Sequence, residues 1–482
     1  MKSYICGKCG YSEKANNLKD SFICPNCGAS REFFSLYEEN SDDDTLDAII
    51  DSVLDESNEI KNEKIINKNS EDKFLYFDEN NKILKRNDNK CINCGKCKKT
   101  CEGIENISYD LNTNDKPICI KCGQCGLNCP EHAIEITDDS KKVKDLIEQN
   151  KKIVVAIISP LTVITLNHIL KKDVSNKIVD ILKQIGFDYV FSSAYGYDLY
   201  TFEFVAELIK NRKEKRKPLF TSVCPAFINY IKIYHSELLD KISTCLNPVE
   251  MQAKVIKKYF SEKKGFDKES IKVVSIGNCV ALDYLIDEEG IDYNIYSKEL
   301  ANMIIEEKIN IDNTLDRKYD DLVGEGSKES QKSEISCELS KAIINSFYKI
   351  IMKKEVDVSK IQFFSDQEGK IKITNIIMDN INIKVAVVNR MDNLEYLLSH
   401  KYDDFDIIEV LNCSYGCLGG GGQEYALNEE NEEYYNEILN ILRNKKSKFK
   451  NTYDNVEIKK LYNEYLKIPL SEESKNLLHQ KN

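Results

Sequence analysis

The chain has 482 residues, 41% of them hydrophobic, and a net charge of -12. This length allows two or more domains with full-sized cores, and the acidic balance excludes nucleic acid and anionic membrane as natural partners while suiting a basic patch on a redox protein. No apolar run approaches the roughly 18 residues that span a bilayer, and the start, MKSYICGKCG, does not read as a signal peptide, so a cytoplasmic location is expected. Eighteen cysteines in such a chain point to metal rather than to disulfides, because a reducing compartment keeps thiols free.

Residues 1–35 form the first expected unit. Cys6 and Cys9 lie in CGKCGY, and Cys24 and Cys27 in CPNCGA, so two knuckles offer a tetrahedral tetrathiolate site. Such a site holds one redox-active iron or one structural zinc, and the ligand set leaves both open. With Phe33 and Phe34 closing it, the unit resembles the short rubredoxin-like domain of rubrerythrins. Residues 36–88 read as an acidic linker. Leu46, Ile49, Ile50, Val53 and Leu54 repeat there at helical spacing, which predicts a short acidic amphipathic helix within a solvated tether.

Residues 89–143 carry the strongest local signal. Cys91, Cys94, Cys97 and Cys101 follow C-x2-C-x2-C-x3-C, and Cys119, Cys122, Cys125 and Cys129 repeat it, with Pro130 after the last. This is the pattern of two-cluster bacterial ferredoxins. It predicts one 4Fe-4S cluster on Cys91, Cys94, Cys97 and Cys129, and a second on Cys119, Cys122, Cys125 and Cys101. The first run has Glu102 where proline is usual, a departure in geometry rather than in ligation.

From residue 144 to 482 helices alternate with buried strands: KKIVVAIISP (151–160), YVFSS (189–193), PLFTSVCP (218–225), IKVVSIGNC (271–279) and FDIIEVLNC (405–413). This predicts a parallel α/β architecture, in which functional groups gather at the carboxyl ends of strands. Cys224, Cys279 and Cys413 each stand at such an end. With Cys417 they give four convergent thiolates, enough for a third 4Fe-4S cluster. Taken alone, Cys413 and Cys417 also allow a zinc knuckle or two buried free thiols. Gly419 to Gly422 provide a pliable backbone, but no Gly-Lys-Ser/Thr follows, so a nucleotide loop is not supported. No dinucleotide-binding fingerprint is present, and a flavin or nicotinamide would belong to a partner. Cys245 and Cys337 fall outside every cluster motif and read as free thiols, and His132 as a surface residue.

From Cys91 to the C-terminus the chain resembles the iron-iron (FeFe) hydrogenases, through FTSVCPAF around Cys224, IGNCVA around Cys279 and EVLNCSYGCLGGGGQ around Cys413 and Cys417. Weaker matches run through 235–248, 298–310 and the tail 456–479. The resemblance implies an iron-only hydrogenase-type α/β domain preceded by the rubredoxin-like (zinc-ribbon-like) unit and a ferredoxin-like α+β domain. It also implies that Cys224, Cys279, Cys413 and Cys417 ligate the cubane, with Cys417 as the thiolate shared with a diiron unit.

Four departures bear on activity. Val223 stands where active members have a proton-passing cysteine, and Leu282 where they have a lysine facing a diiron cyanide. Phe204 replaces a relay carboxylate, although Glu203 and Glu207 remain as candidate relay groups. The segment 324–347, glycine-rich in active members, here carries long charged side chains. The expected function is therefore an iron–sulfur redox protein that moves electrons between rubredoxin-like, ferredoxin-type and hydrogenase-type centres and passes them to a redox partner such as a ferredoxin or an oxidoreductase subunit. The alternatives are a low-activity hydrogenase or hydrogen sensor that keeps the diiron unit, and a role like that of the hydrogenase-like proteins of iron–sulfur assembly.

Overall fold

The run Val154 to Ile158 is apolar at every position and buried throughout, which requires cover on both faces of its sheet. The structure, a computed structural model, describes residues 2–6, 12–16, 19, 22–23, 30–31, 34–37, 77, 81–104, 119–287, 289–423, 432–445 and 447–480. Met1–Ile60 and Lys61–Asn482 form two compact units. In the first, β1 (Lys2–Cys6), β2 (Ser12–Ala15) and β3 (Phe34–Tyr37) make an antiparallel sheet in the order β2-β1-β3. Cys9, Cys24, Cys27, the side chain of Cys6 and the expected acidic helix lie outside the described residues.

The second unit begins with a two-stranded antiparallel ribbon, β4 (Leu84–Arg86) and β5 (Ile134–Ile136). The strands that follow are β6 (Ile153–Ile158), β7 (Tyr189–Ser192), β8 (Leu219–Phe220), β9 (Ile271–Gly277), β10 (Tyr293–Tyr296), β11 (Phe364–Ser365), β12 (Ile371–Met378), β13 (Ile381–Asn389) and β14 (Ile407–Leu411). They form two sheets. One is wholly parallel, in the order β10-β9-β6-β7, and the other is mixed, in the order β11-β12-β13-β14-β8. Val154, Ala156, Ile158, Val274 and Ile276 of the parallel sheet pack on Val163, Leu166, Leu182, Leu300 and Ile304 of the covering helices.

Two expectations need correction. The parallel strands are divided between two sheets, and PLFTSVCP contributes only Leu219–Phe220 as strand, because Thr221 to Cys224 turn away to start the next helix. The antiparallel hairpin β12-β13 was not anticipated. Its turn places Asp379 and Asn380 at φ 46 and 64, a left-handed pair that Asp and Asn tolerate.

The helix Ala194–Lys213 is buried along most of its length and organises the rest of the unit. Asp198, fully buried on it, accepts from Ser327 N and Oγ (both 2.7 Å), Ser330 Oγ (2.6 Å) and Asn455 Nδ2 (2.8 Å). One carboxylate thus ties the charged segment 324–347 and the C-terminal tail to the same helix. The segment's own charges are largely paired: Lys332 and Lys341 each lie 2.8 Å from Glu338, and Glu329 accepts from Asn345 Nδ2 at 2.8 Å and Thr452 N at 2.9 Å.

A second tie lies at the end of the helix Pro225–Tyr234, where His235 Nε2 is 2.5 Å from Glu395 Oε1 and Tyr230 OH donates to the same oxygen at 2.5 Å. The hydrogen bond to Glu395 raises the His235 pKa above its ordinary 6.5. Its contribution to stability is therefore complete below the unfolded pKa and is lost as pH rises through the folded pKa. Thermal unfolding of His235→Gln should fall below wild type by the largest margin under about pH 6, with the two curves converging at higher pH. A margin that widens with rising pH would contradict the pairing.

Candidate metal centre

The carboxyl ends of strands from both sheets meet at one cavity. Ser159 follows β6, Ser193 follows β7, Val223 and Cys224 follow β8, Asn278 and Cys279 follow β9, and Asn412 and Cys413 follow β14, and all of them line it together with Cys417. The four thiols predicted from sequence are therefore brought together. Cys224 is the N-cap of the helix Pro225–Tyr234, with proline at the first helical position, and its sulfur accepts from Asn412 N at 3.5 Å. A thiolate there benefits from the positive end of the helix.

The thiols are crowded: Cys224 is buried, and Cys279, Cys413 and Cys417 are half-buried. Burial, and then the neighbouring Cys224, push the Cys279 thiol up to about 12. Cys417 is held well above the ordinary thiol value by burial, then by Glu334, Cys279, Cys413 and Cys224. Cys279 and Cys417 thus favour the protonated form until a cationic metal group takes the protons' place.

Two further features match a cubane. The side-chain amides of Asn278 (Nδ2) and Asn412 (Nδ2 and Oδ1) are buried at the cavity with no protein partner, so N–H donors face the space where cluster sulfides would lie. The glycine run is needed for close packing of loops. A Cβ on Gly421 would stand 2.3 Å from Cys122 O, and Gly416, at φ 78, would place one 2.6 Å from Glu334 O. The four-thiol cavity thus fits an iron–sulfur cluster in donor type.

The side of the cavity beyond Cys417 differs in character. It is lined by Val223, Leu282, Val249, Tyr197 and Glu334, and no lysine or arginine is among the described lining residues. Glu334 is buried, accepts from Ser159 Oγ and from Ser193 Oγ (3.3 Å), and its own carbonyl accepts from Cys417 N at 2.8 Å. Burial raises its pKa. An anionic, cyanide-bearing diiron unit needs donors or cations here; the described lining holds no cation, Val223 and Leu282 are aliphatic, and the Ser159 and Ser193 hydroxyls are already committed to the Glu334 carboxylate. These residues do not fit it.

Glu203 and Glu207 are both buried but neither lines the cavity. Glu203 accepts from Tyr462 OH, Ser474 Oγ and Leu470 N (2.9 Å) and lies 3.1 Å from His479 Nε2. Glu207 accepts from Ser243 Oγ at 2.6 Å and Thr244 N at 3.2 Å. On the same helix the rings of Tyr200 and Phe204 are stacked, with centroids 5.6 Å apart, and Val223 lines the cavity.

The ferredoxin-type cysteines occupy an internal repeat. Asn93 and Gly95 (φ 52 and 76) correspond to Lys121 and Gly123 (φ 62 and 79), so CINCGKC and CIKCGQC take the same left-handed turns. Cys91, Cys94, Cys97 and Cys129 together line one small cavity, and Cys94 is exposed. Cys119 Sγ accepts from Lys121 N at 3.4 Å and Cys129 Sγ from Ala133 N at 3.3 Å. Gln124 joins this region to the first cavity: its Nε2 donates to Gly419 O at 2.7 Å and lies 3.4 Å from Cys413 Sγ. Cys122 lines the four-thiol cavity itself. Asn229 Nδ2 donates to Ile120 O (3.3 Å) and Arg390 to Gly103 O (3.1 Å), completing the attachment.

Sequence reading singled out the cysteines, Val223 and Leu282, and missed Gln124, Tyr197, Asn278, Asn412 and Glu334. Asn278 and Asn412 each precede a ligand cysteine, a signal that was available. Gln124 and Glu334 act across long sequence separations and carried none.

A scaffold of this kind, with four thiols at converging strand ends and a ferredoxin-type repeat packed against them, defines an iron–sulfur protein. Residues 152–421 match the iron only hydrogenase large subunit, C-terminal domain, and residues 432–481 match the iron hydrogenase small subunit. The chain belongs to the iron-only hydrogenase family. It is 26% identical over 452 residues to iron hydrogenase 1 of Clostridium pasteurianum, covering 85% of this chain and 77% of that protein. It is 25% identical over 366 residues to the cytosolic Fe-S cluster assembly factor narfl of Danio rerio, covering 70% of this chain and 87% of that protein. An apo FeFe-hydrogenase from Chlamydomonas reinhardtii shares the fold, with a TM-score of 0.63 at 23% identity, over 71% of this chain and 98% of that one.

The Gly421 contact gives a direct test of the packing. Gly421→Ala should lower thermal stability by about 2 kcal/mol, because the new methyl meets the Cys122 carbonyl. Gly103→Ala, with nothing within 4 Å of its added methyl, should leave stability unchanged or slightly higher. Equal behaviour of the two variants would mean that the loops are not in contact.

Proposed function

We propose that this chain is an iron–sulfur electron carrier built on the hydrogenase fold, and that it does not turn over hydrogen. The observation that carries the reading is the contrast within one cavity: its four thiols and the unpartnered amide nitrogens of Asn278 and Asn412 suit a cubane, whereas Val223, Leu282 and Glu334 oppose a diiron unit. No step is assigned to that unit.

In this reading residues 1–35 hold one iron or zinc on Cys6, Cys9, Cys24 and Cys27, residues 36–88 are a tether, residues 89–143 hold two ferredoxin-type clusters, and residues 144–482 hold a third on Cys224, Cys279, Cys413 and Cys417. Bound clusters supply reversible one-electron storage. The chain's residues supply proximity and insulation. Gln124 and Cys122 keep the ferredoxin-type region against the four-thiol cavity, while Ile157, Leu161 and Val249 exclude water from it. Exposed Cys94 makes the cluster on Cys91, Cys94, Cys97 and Cys129 the natural point of exchange with a redox protein partner. No described helix is long and apolar enough to cross a membrane.

The second reading, a slow hydrogenase or hydrogen sensor, is favoured by the long match to a named iron hydrogenase. Infrared spectroscopy separates the two. Protein prepared anaerobically and co-expressed with diiron maturation enzymes should give no bands in the region of carbon monoxide and cyanide stretches. Iron analysis should give ~12 irons from three cubanes, with at most one more. Carbon monoxide and cyanide bands would overturn the electron-carrier reading in favour of the second.

A further inference from the structure

Outside the cysteine cavity, Glu207 of the helix Ala194–Lys213 meets Cys245 and His479 in a second cluster of side chains with metal-ligating chemistry. Cys245 and His479 are paired by an isolated antiparallel bridge, fixed by Leu246 N to Leu478 O (2.9 Å) and Gln480 N to Thr244 O (2.8 Å). Cross-strand pairing puts their side chains next to each other. Glu207 reaches the same point from the helix. One donor atom from each of the three residues lies within 4.8 Å of the others, and all three residues are buried.

The surroundings are those of a metal site rather than of a hydrogen-bonded triad alone. His479 Nε2 is 3.1 Å from the Glu203 carboxylate, the outer partner that orients a ligating imidazole and leaves its other nitrogen turned inward. That nitrogen, Nδ1, is 2.8 Å from Thr244 Oγ1, and the same hydroxyl is 3.3 Å from Glu207 Oε1. The threonine hydroxyl therefore bridges two groups that a cation could bridge in its place. Ser243 Oγ and Thr244 N hold the Glu207 carboxylate in orientation. Among the described residues, His479 is the only basic side chain bonded to either Glu203 or Glu207. A surface cavity of about 640 Å³, lined by Glu207, Thr244 and His479 among others, gives an ion a way in and water a fourth position.

We propose that Glu207, Cys245 and His479 bind a divalent transition ion of zinc type, clamping the C-terminal tail to the buried helix. Thiolate, imidazole and carboxylate are the donor set of zinc, which takes three protein ligands and a water in an open tetrahedral site. This site is independent of the cluster assignments, and its failure would leave them standing.

The test uses the full-length, cluster-loaded protein equilibrated with Zn²⁺ and briefly washed with chelator. Wild type should retain one more zinc per chain than the double variant Cys245→Ser/His479→Gln, at equal iron content. Zinc-edge X-ray absorption of wild type should then report a mixed sulfur, nitrogen and oxygen shell. Zinc in the N-terminal knuckles would give an all-sulfur shell and an equal contribution to both proteins. Equal zinc in the two, or an all-sulfur shell in wild type, overturns the proposal. If the variant loses iron and is misfolded, the wild-type absorption shell decides alone.

Discussion

Four thiolates cannot be held side by side without a cation, and much of this fold can be understood as the means of holding their sulfurs together regardless. Burial and mutual repulsion keep Cys279 and Cys417 protonated in the protein alone. Geometry must therefore be imposed by the scaffold. Two sheets supply it by directing their strand ends to one point, which neither could do alone, since Cys279 follows the parallel sheet and Cys413 the mixed one. Glycines at 416 and 421 then let the last ligand loop close against Glu334 and Cys122.

The same constraint explains why the ferredoxin-type region is part of one compact unit with the body. Its attachment is polar and local: Gln124 to Gly419, Asn229 to Ile120 and Arg390 to Gly103. Each is a side chain bonded to a backbone carbonyl, so main-chain groups help to set the register. The side chain of Gln124 also lies against Cys413, and it thereby links a ferredoxin-type helix to a ligand of the other cavity.

Ligand cysteines were legible in sequence because their spacing is local, and Val223 and Leu282 because they are immediate neighbours of those ligands. The apolar runs around β6, β9 and β14 were legible because double-sided burial leaves no polar position. The hairpin β12-β13 was overlooked although Asp379 and Asn380 mark its turn, since IKITNIIM alternates weakly and its strand is only partly buried. Segment 324–347 shows in sequence only that it carries long charged side chains. Most of its charges pair with one another or with the tail, and only Glu334 of its acids reaches the cavity. Which charge faces inward is decided by tertiary contacts, and spacing does not encode it.

The C-terminal tail has a consequence for the order in which the molecule can be completed. Asp198, Glu203 and Glu329 are buried carboxylates, and each takes donors from residues beyond 450: Asn455 for the first, Tyr462, Leu470 and Ser474 for the second, Thr452 for the third. Until those residues leave the ribosome, three buried acids lack part of their donors, Glu203 the most, and the long helix is not yet fully tied down. The thiols at 224, 279, 413 and 417 are all made by then. A growing chain thus exposes its complete ligand set before it can close, which sets a time window in which cofactor delivery meets an open protein.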